Sequence, residues 1–350
     1  MEVIKNKRIE WVDVLKGFAI ILVLLTHSGF PGVFAIELSP FMVQIFFLLS
    51  GYVFSIKKYQ TFKSFIYAKF KSLIIPLISF SCIIYVFNFT FKCLILNSIG
   101  IDEIVKQIIG TILQIRGSSD YRTPLWFISC LVSSEILMYF IIKISEDDNK
   151  KILLTILLSS VIGYLSLKFI KIDIPWSIDL AFTMTTFLGI GYLIKKNKDY
   201  FEKFIQVKYL FIFIILNLIF TFLNFKYLGT NVNLYGNQIG NYILYYISAI
   251  SGIFMCIIFF RLIKTIKCLI YIGQNSLIYY CLHMIIFNIL EVITKLFISN
   301  EIRNNFIIQI MISISYLLIT CYIIKYLSLM INKYTPWMLG KLKKKEKHIF

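Results

Sequence analysis

The chain has 350 residues, of which 59% are hydrophobic and 15% charged, against about 45–50% apolar and about 25% charged in a soluble globular domain. Its 36 Lys and Arg against 18 Asp and Glu leave a net charge of +18. That balance excludes a soluble globular enzyme and a disordered chain, and a nucleic-acid binder would account for the charge but not for the apolar content. An integral membrane protein is left.

Apolar runs predict ten membrane helices, at about 11–29, 41–56, 73–91, 124–142, 152–167, 177–194, 209–225, 241–260, 275–294 and 305–324. Each approaches the length needed to cross roughly 30 Å of hydrocarbon. Backbone amides must be paired in lipid, and no ten-residue alternation indicates a barrel, so the fold class is all-α, a polytopic membrane helical bundle. The run 103–115 is amphipathic and short, and is placed at the interface.

The first run follows Lys5, Lys7 and Arg8, yet Asp13 and Lys16 interrupt it and no small-residue cleavage site follows. It reads as a retained helix rather than a secretory signal. Lys16 and His27 are eleven residues apart, about 20° beyond three full turns and about 16 Å along the axis, so they share a face. Asp13, three residues before Lys16, shares it too. One reading is a snorkelling lysine paired with Asp13, plus a hydrogen-bonded histidine. The other is a reaction or transport path, with an anion held at Lys16 and proton transfer at His27.

The second run holds Ser50-Gly51, which lets another backbone approach closely. The fourth opens at Pro124-Leu125-Trp126 and carries Glu135, either paired with a buried base or bonded to a neighbouring helix. Asp179 and Glu291 are further charges within the predicted spans, where each costs roughly 2.5–3.5 kcal/mol at a helix centre. Gly273 and Asn275 read as an interfacial turn and cap before the ninth helix, which contains His283. The seven cysteines lie in or beside apolar runs without metal-type pairs and read as small core hydrophobes. No metal site is expected.

Numbering the non-membrane segments from the N-terminus, the odd ones hold 26 of the 36 Lys and Arg residues. The positive-inside rule then puts both termini in the cytoplasm. One domain is expected over 1–340, followed by a basic cytoplasmic tail, 341–350, that anchors at the membrane surface.

The opening Arg8-Ile9-Glu10-Trp11-Val12-Asp13-Val14-Leu15-Lys16-Gly17-Phe18-Ala19-Ile20, ending at Thr26-His27, resembles the first helix of bacterial multi-pass acyltransferases that O-acetylate polysaccharides. This is acyltransferase family three, which includes the fucose 4-O-acetylase-like proteins. FFLLSGYVFS (46–55), LWF (125–127), FLGIGYLIKK (187–196) and IGQNSLIYYCLH (272–283) resemble family segments in the same order. Two departures stand out. Lys16 takes a position where many relatives carry Arg, and Lys69 and Lys71 stand where many carry an Arg-rich segment. Both keep the charge and lose the fork geometry of guanidinium.

The resemblance implies an O-acyltransferase in the bacterial cytoplasmic membrane, moving an acetyl group from cytoplasmic acetyl-CoA to a hydroxyl of an envelope or exported polysaccharide. Acetyl-CoA is then a substrate and no cofactor is permanently bound. Basic residues including Lys57, Lys58, Lys63, Lys69 and Lys71 concentrate the polyanionic donor. Lys16 neutralises part of it and His27 is the general base, with Asp13 beside them. Ser50, Trp126, Glu135 and His283 are candidates for the donor or acceptor site. The expected partners are acetyl-CoA, a glycan or lipid-linked sugar and membrane lipid, with no nucleic acid; a homo-oligomer stays open. The alternative from another class is a flippase or secondary transporter for a lipid-linked envelope sugar.

Overall fold

A computed structural model describes residues 8–96, 101–116, 125–170, 172–263 and 265–341. Lys5, Lys7 and the tail from 342, with the anchor predicted there, lie outside the described residues. In chain order the helices are α1 (Glu10–His27), α2 (Gly32–Leu38), α3 (Gln44–Val53), α4 (Phe62–Lys69) and α5 (Ile75–Leu96). There follow α6 (Ile101–Leu113), α7 (Trp126–Ile144), α8 (Asn149–Phe169), α9 (Ile178–Lys196), α10 (Lys198–Glu202) and α11 (Val207–Leu228). The chain continues through α12 (Tyr242–Leu262), α13 (Lys267–Gln274), α14 (Ser276–Phe297), α15 (Asn300–Arg303) and α16 (Phe306–Tyr334).

Each of the ten predicted runs contains a helix, and among the described residues eight helices are long and apolar enough to cross a membrane. The other two differ for physical reasons. Across its 18 residues α1 carries Glu10, Asp13 and Lys16. α3 has 10 residues, about 15 Å at 1.5 Å per residue, half of a hydrocarbon core. The third run begins earlier than predicted, at Phe62, because Thr61 and Ser64 cap α4 reciprocally and a π-helical turn over Phe70–Ile74 carries the helix into α5.

The turn expected at Gly273 and Asn275 is instead a helix, α13, with Gly273 inside it. Asn275 does follow it, but its side-chain amide donates backwards to the Tyr271 carbonyl (2.9 Å) rather than capping α14. The cysteines divide: Cys130, Cys256 and Cys281 are buried as expected, whereas Cys82 and Cys268 are exposed.

The chain forms two units, Met1–Val53 with Phe187–Tyr280 and Leu290–Ile319, and Phe54–Thr186 with Cys281–Ile289 and Thr320–Phe350. In lipid there is little hydrophobic drive between helices, so close packing at small residues and interhelical hydrogen bonds must hold them. The first unit does both. A Cβ on Gly51 would lie 1.8 Å from the Leu188 oxygen, and one on Gly191 would lie 1.9 Å from the Leu48 oxygen. Each glycine of α3 and α9 thus receives the other's backbone. On α11 the buried residues are the polar ones, Asn217, Thr221 and Asn224. Asn217 donates to the Ser248 carbonyl of α12, and Asn224 donates to the Ile239 carbonyl while accepting from the Asn241 N–H, all at 2.9 Å. Its apolar residues Phe211, Ile215, Leu218 and Phe222 are exposed, as suits a helix whose outer solvent is hydrocarbon.

The second unit shows the same inversion. α8, capped by the Asp148 carboxylate, exposes Leu154, Leu157, Leu158 and Val161. It turns Ser159 inward to donate to the Phe182 carbonyl (2.9 Å). An aromatic cluster of Phe54, Phe62, Phe65 and Tyr139 fills the space between α4 and α7.

Candidate functional site

The first group of candidates stands on α1. Its buried residues include Val12, Leu15, Ala19, Ile20 and Val23, while Asp13 and Lys16 are half-buried and His27 is exposed. The polar stripe therefore occupies the less buried side of the helix. α1 is held by α13 at two glycines. A Cβ on Gly17 would meet the Leu269 oxygen at 2.0 Å, and one on Gly273 would meet the Asp13 oxygen at 1.9 Å. This close approach brings Gln274 onto Asp13, where Nε2 donates to Oδ2 at 3.1 Å. Asp13 thus has a partner the spacing did not reveal.

His27 closes α1, and the chain beyond it is clamped. Ser313 donates to the Ser28 carbonyl (3.2 Å) and Gln309 to the Gly29 carbonyl (2.9 Å). These are two side chains one turn apart on α16, and the left-handed φ of +83° at Gly29 suits glycine. α2 follows, with Glu37 near its end. One carboxylate oxygen of Glu37 is buried with no hydrogen-bond partner among the described residues, and burial pushes its carboxyl above the usual range. Ser50, half-buried on α3, adjoins the Gly51 contact with α9.

The second group lies in the other unit. Glu135 of α7, 5% exposed, pairs with Lys69 at 2.9 Å. Lys69 Nζ also lies 5.4 Å from the Phe54 ring centroid and 5.6 Å from that of Phe65. Lys69, expected on a donor-facing basic surface, is thus mostly enclosed. Lys71 rests over the Tyr67 ring, and Lys57, Lys58 and Lys63 are exposed. His283 is fully buried and lies edge-on to Phe287. Trp126 is half-buried at the start of α7. In the first unit, Glu291 is half-buried on α14, itself long and apolar enough to cross a membrane, and pairs with Lys295 one turn further along at 2.6 Å.

The structure thus carries Asp13, Lys16 and His27 on one helix and pairs Lys69 with Glu135 across two. Arg116, which the reading of the sequence passed over, pairs with Asp179 and Asp173. The signal was available, since a carboxylate as deeply placed as Asp179 requires a cation. No group of three or more metal-ligating side chains occurs among the described residues.

A bundle of apolar helices with a Lys–His stripe and an enclosed Lys–Glu pair defines a multi-pass membrane protein. A model of the acyltransferase domain, family three, matches residues 9–326, nearly the whole chain, so the chain belongs to that family. No curated protein and no solved structure is similar enough to count as a match. The chain is a membrane acyltransferase.

Proposed function

We propose that the acyl group is acetyl, taken from cytoplasmic acetyl-CoA, and that the acceptor is a hydroxyl of an envelope or exported polysaccharide at the bacterial plasma membrane. The observation that carries this reading is the stripe on α1, with half-buried Lys16 and exposed His27 at its two ends. Lys16 offsets phosphate charge on the donor at one end. Neutral His27 takes the proton of the acceptor hydroxyl at the other as that oxygen attacks the thioester carbonyl. The C–S bond breaks, and the coenzyme A thiolate leaves and takes up a proton. Asp13, anchored by Gln274, fixes the register of α1 against α13 and so the height of Lys16.

The exposed cations Lys57, Lys58 and Lys63 support attraction of a polyanionic donor. Positive-inside counting supports both termini on the donor side. Ser50, Trp126, Lys71 and His283 remain candidates for contact with donor or acceptor.

The test is transfer of label from acetyl-CoA to envelope glycan by purified membranes. His27→Ala should lower transfer by about 10²- to 10⁴-fold while the protein still inserts. Undiminished acetylation in that variant overturns the mechanism. Substrate movement without donor consumption would favour a flippase instead.

A further inference from the structure

Arg116 follows α6, and its side chain is wholly shielded from solvent. Its Nε and Nη2 approach Asp173 Oδ1 at 3.4 and 3.3 Å, and Nη2 also bonds Asp179. Its Nη1, equally buried, has no hydrogen-bond partner among the described residues. Beside Asp179, the Ser177 hydroxyl is fully buried and also lacks a partner among them. Burying such donors unsatisfied costs about 1–3 kcal/mol each, and more for a charged one. Between the two aspartates, Trp176 and Ser177 both hold left-handed backbone, φ +58° and +51°. Ser133 of α7 pins this turn by donating to the Trp176 carbonyl at 3.0 Å. Non-glycine residues in that region store of order 1–3 kcal/mol each and persist where the surroundings over-determine them. Asp173 is 35% exposed and Trp176 half-buried, so the cluster has an open side.

We infer that Arg116, Asp173, Trp176 and Ser177 form a binding site for an uncharged sugar, which anchors the glycan acceptor. The assignment of a glycan acceptor rests on the function proposed above. The donor and acceptor inventory selects the ligand. Arg116 Nη1 and the Ser177 hydroxyl call for an acceptor atom, and the half-buried Asp173 carboxylate accepts only. A hydroxyl group meets both demands. A phosphate accepts without donating and meets two carboxylates against one guanidinium, a net negative cluster that repels it. An ammonium donates without accepting and leaves both orphan donors unsatisfied. The Trp176 indole supplies the apolar surface that the carbon face of a sugar ring requires. A polysaccharide is longer than its reacting hydroxyl, so the sugar held here need not be the one acylated. Binding at a remote sugar still lowers the barrier at the reacting one.

The full chain in detergent micelles is titrated with the methyl glycosides of glucose, galactose, rhamnose and N-acetylglucosamine, and separately with coenzyme A, by saturation-transfer NMR. At least one glycoside should bind. Trp176→Ala and Asp173→Asn should weaken it by about tenfold or more, with coenzyme A affinity unchanged. Trp176→Phe, which keeps an aromatic ring, should weaken it less and carries the test should Trp176→Ala not fold. The site is overturned if no glycoside binds, if the variants bind it as wild type does, or if coenzyme A affinity falls in parallel.

Acetyl transfer to extracted envelope polysaccharide is measured on the same samples. Transfer with an unchanged acceptor KM in the variants defeats this site and leaves the acyltransfer reading intact. Variant-sensitive glycoside binding without transfer does the reverse.

Discussion

Single residues show where pattern and packing diverge. Helical spacing placed Asp13, Lys16 and His27 on one face, and they occupy one face of α1. The partners of the buried charges are another matter. Lys69 and Glu135 are 15% and 6% exposed at the side chain, so removing either alone strands a charge, a loss of about 3–5 kcal/mol for a buried pair. Glu135→Leu should therefore lower the melting temperature sharply, and Lys69→Met with Glu135→Leu should recover most of it. Acyl transfer that survives in the double variant marks the pair as structural. Loss of transfer with restored stability assigns donor binding to Lys69. At Glu37 the sign is opposite to the usual carboxylate. Burial raises its folded-state value above the unfolded one, so the folded chain binds more protons between the two and stability falls as pH rises through that window. Glu37→Gln should raise the melting temperature slightly at pH 7, with the gain vanishing below the ordinary carboxylate range. Equal gain at both pH values would remove burial of Glu37 as the cause.

At the scale of elements, hydropathy located all eight helices that are long and apolar enough to cross a membrane among the described residues, because it is a local sum over the chain. Boundaries were lost where polar residues serve helices rather than end them. Lys69 and Lys71 sit on a continuous helix through Phe62–Thr90, and Gly273 is a packing surface rather than a turn. The α1–α13 contact gives the sharpest test. A methyl group at Gly273 would meet backbone oxygen at 1.9 Å, whereas one at Gly32 meets nothing within 4 Å. Overpacking of this kind costs typically 1–3 kcal/mol. Gly273→Ala should therefore lower both thermal stability and transfer, by shifting Asp13 and Lys16 with α1. Gly32→Ala should leave both unchanged. Similar behaviour of the two variants would show that α1 is not held at this contact.

For the whole molecule, the basic excess is a prediction about sides of the membrane. In a chain cleared of native cysteines, Lys58→Cys and Lys198→Cys should react with an impermeant maleimide only after the membrane is opened. Thr230→Cys and Asn304→Cys should react in intact cells. Any exchange between these pairs would mean a miscounted crossing. The composition determined the solvent of this protein, apolar runs determined its helices and helical spacing the stripe of α1, because all three are properties of neighbouring residues. Only the tertiary structure decided which groups pair with the charged side chains. Gln274 reaches Asp13 from 261 residues away, and Arg116 reaches Asp179 from 63. A buried charge must have a partner, but which residue supplies it depends on which helices pack together, and no local pattern encodes that.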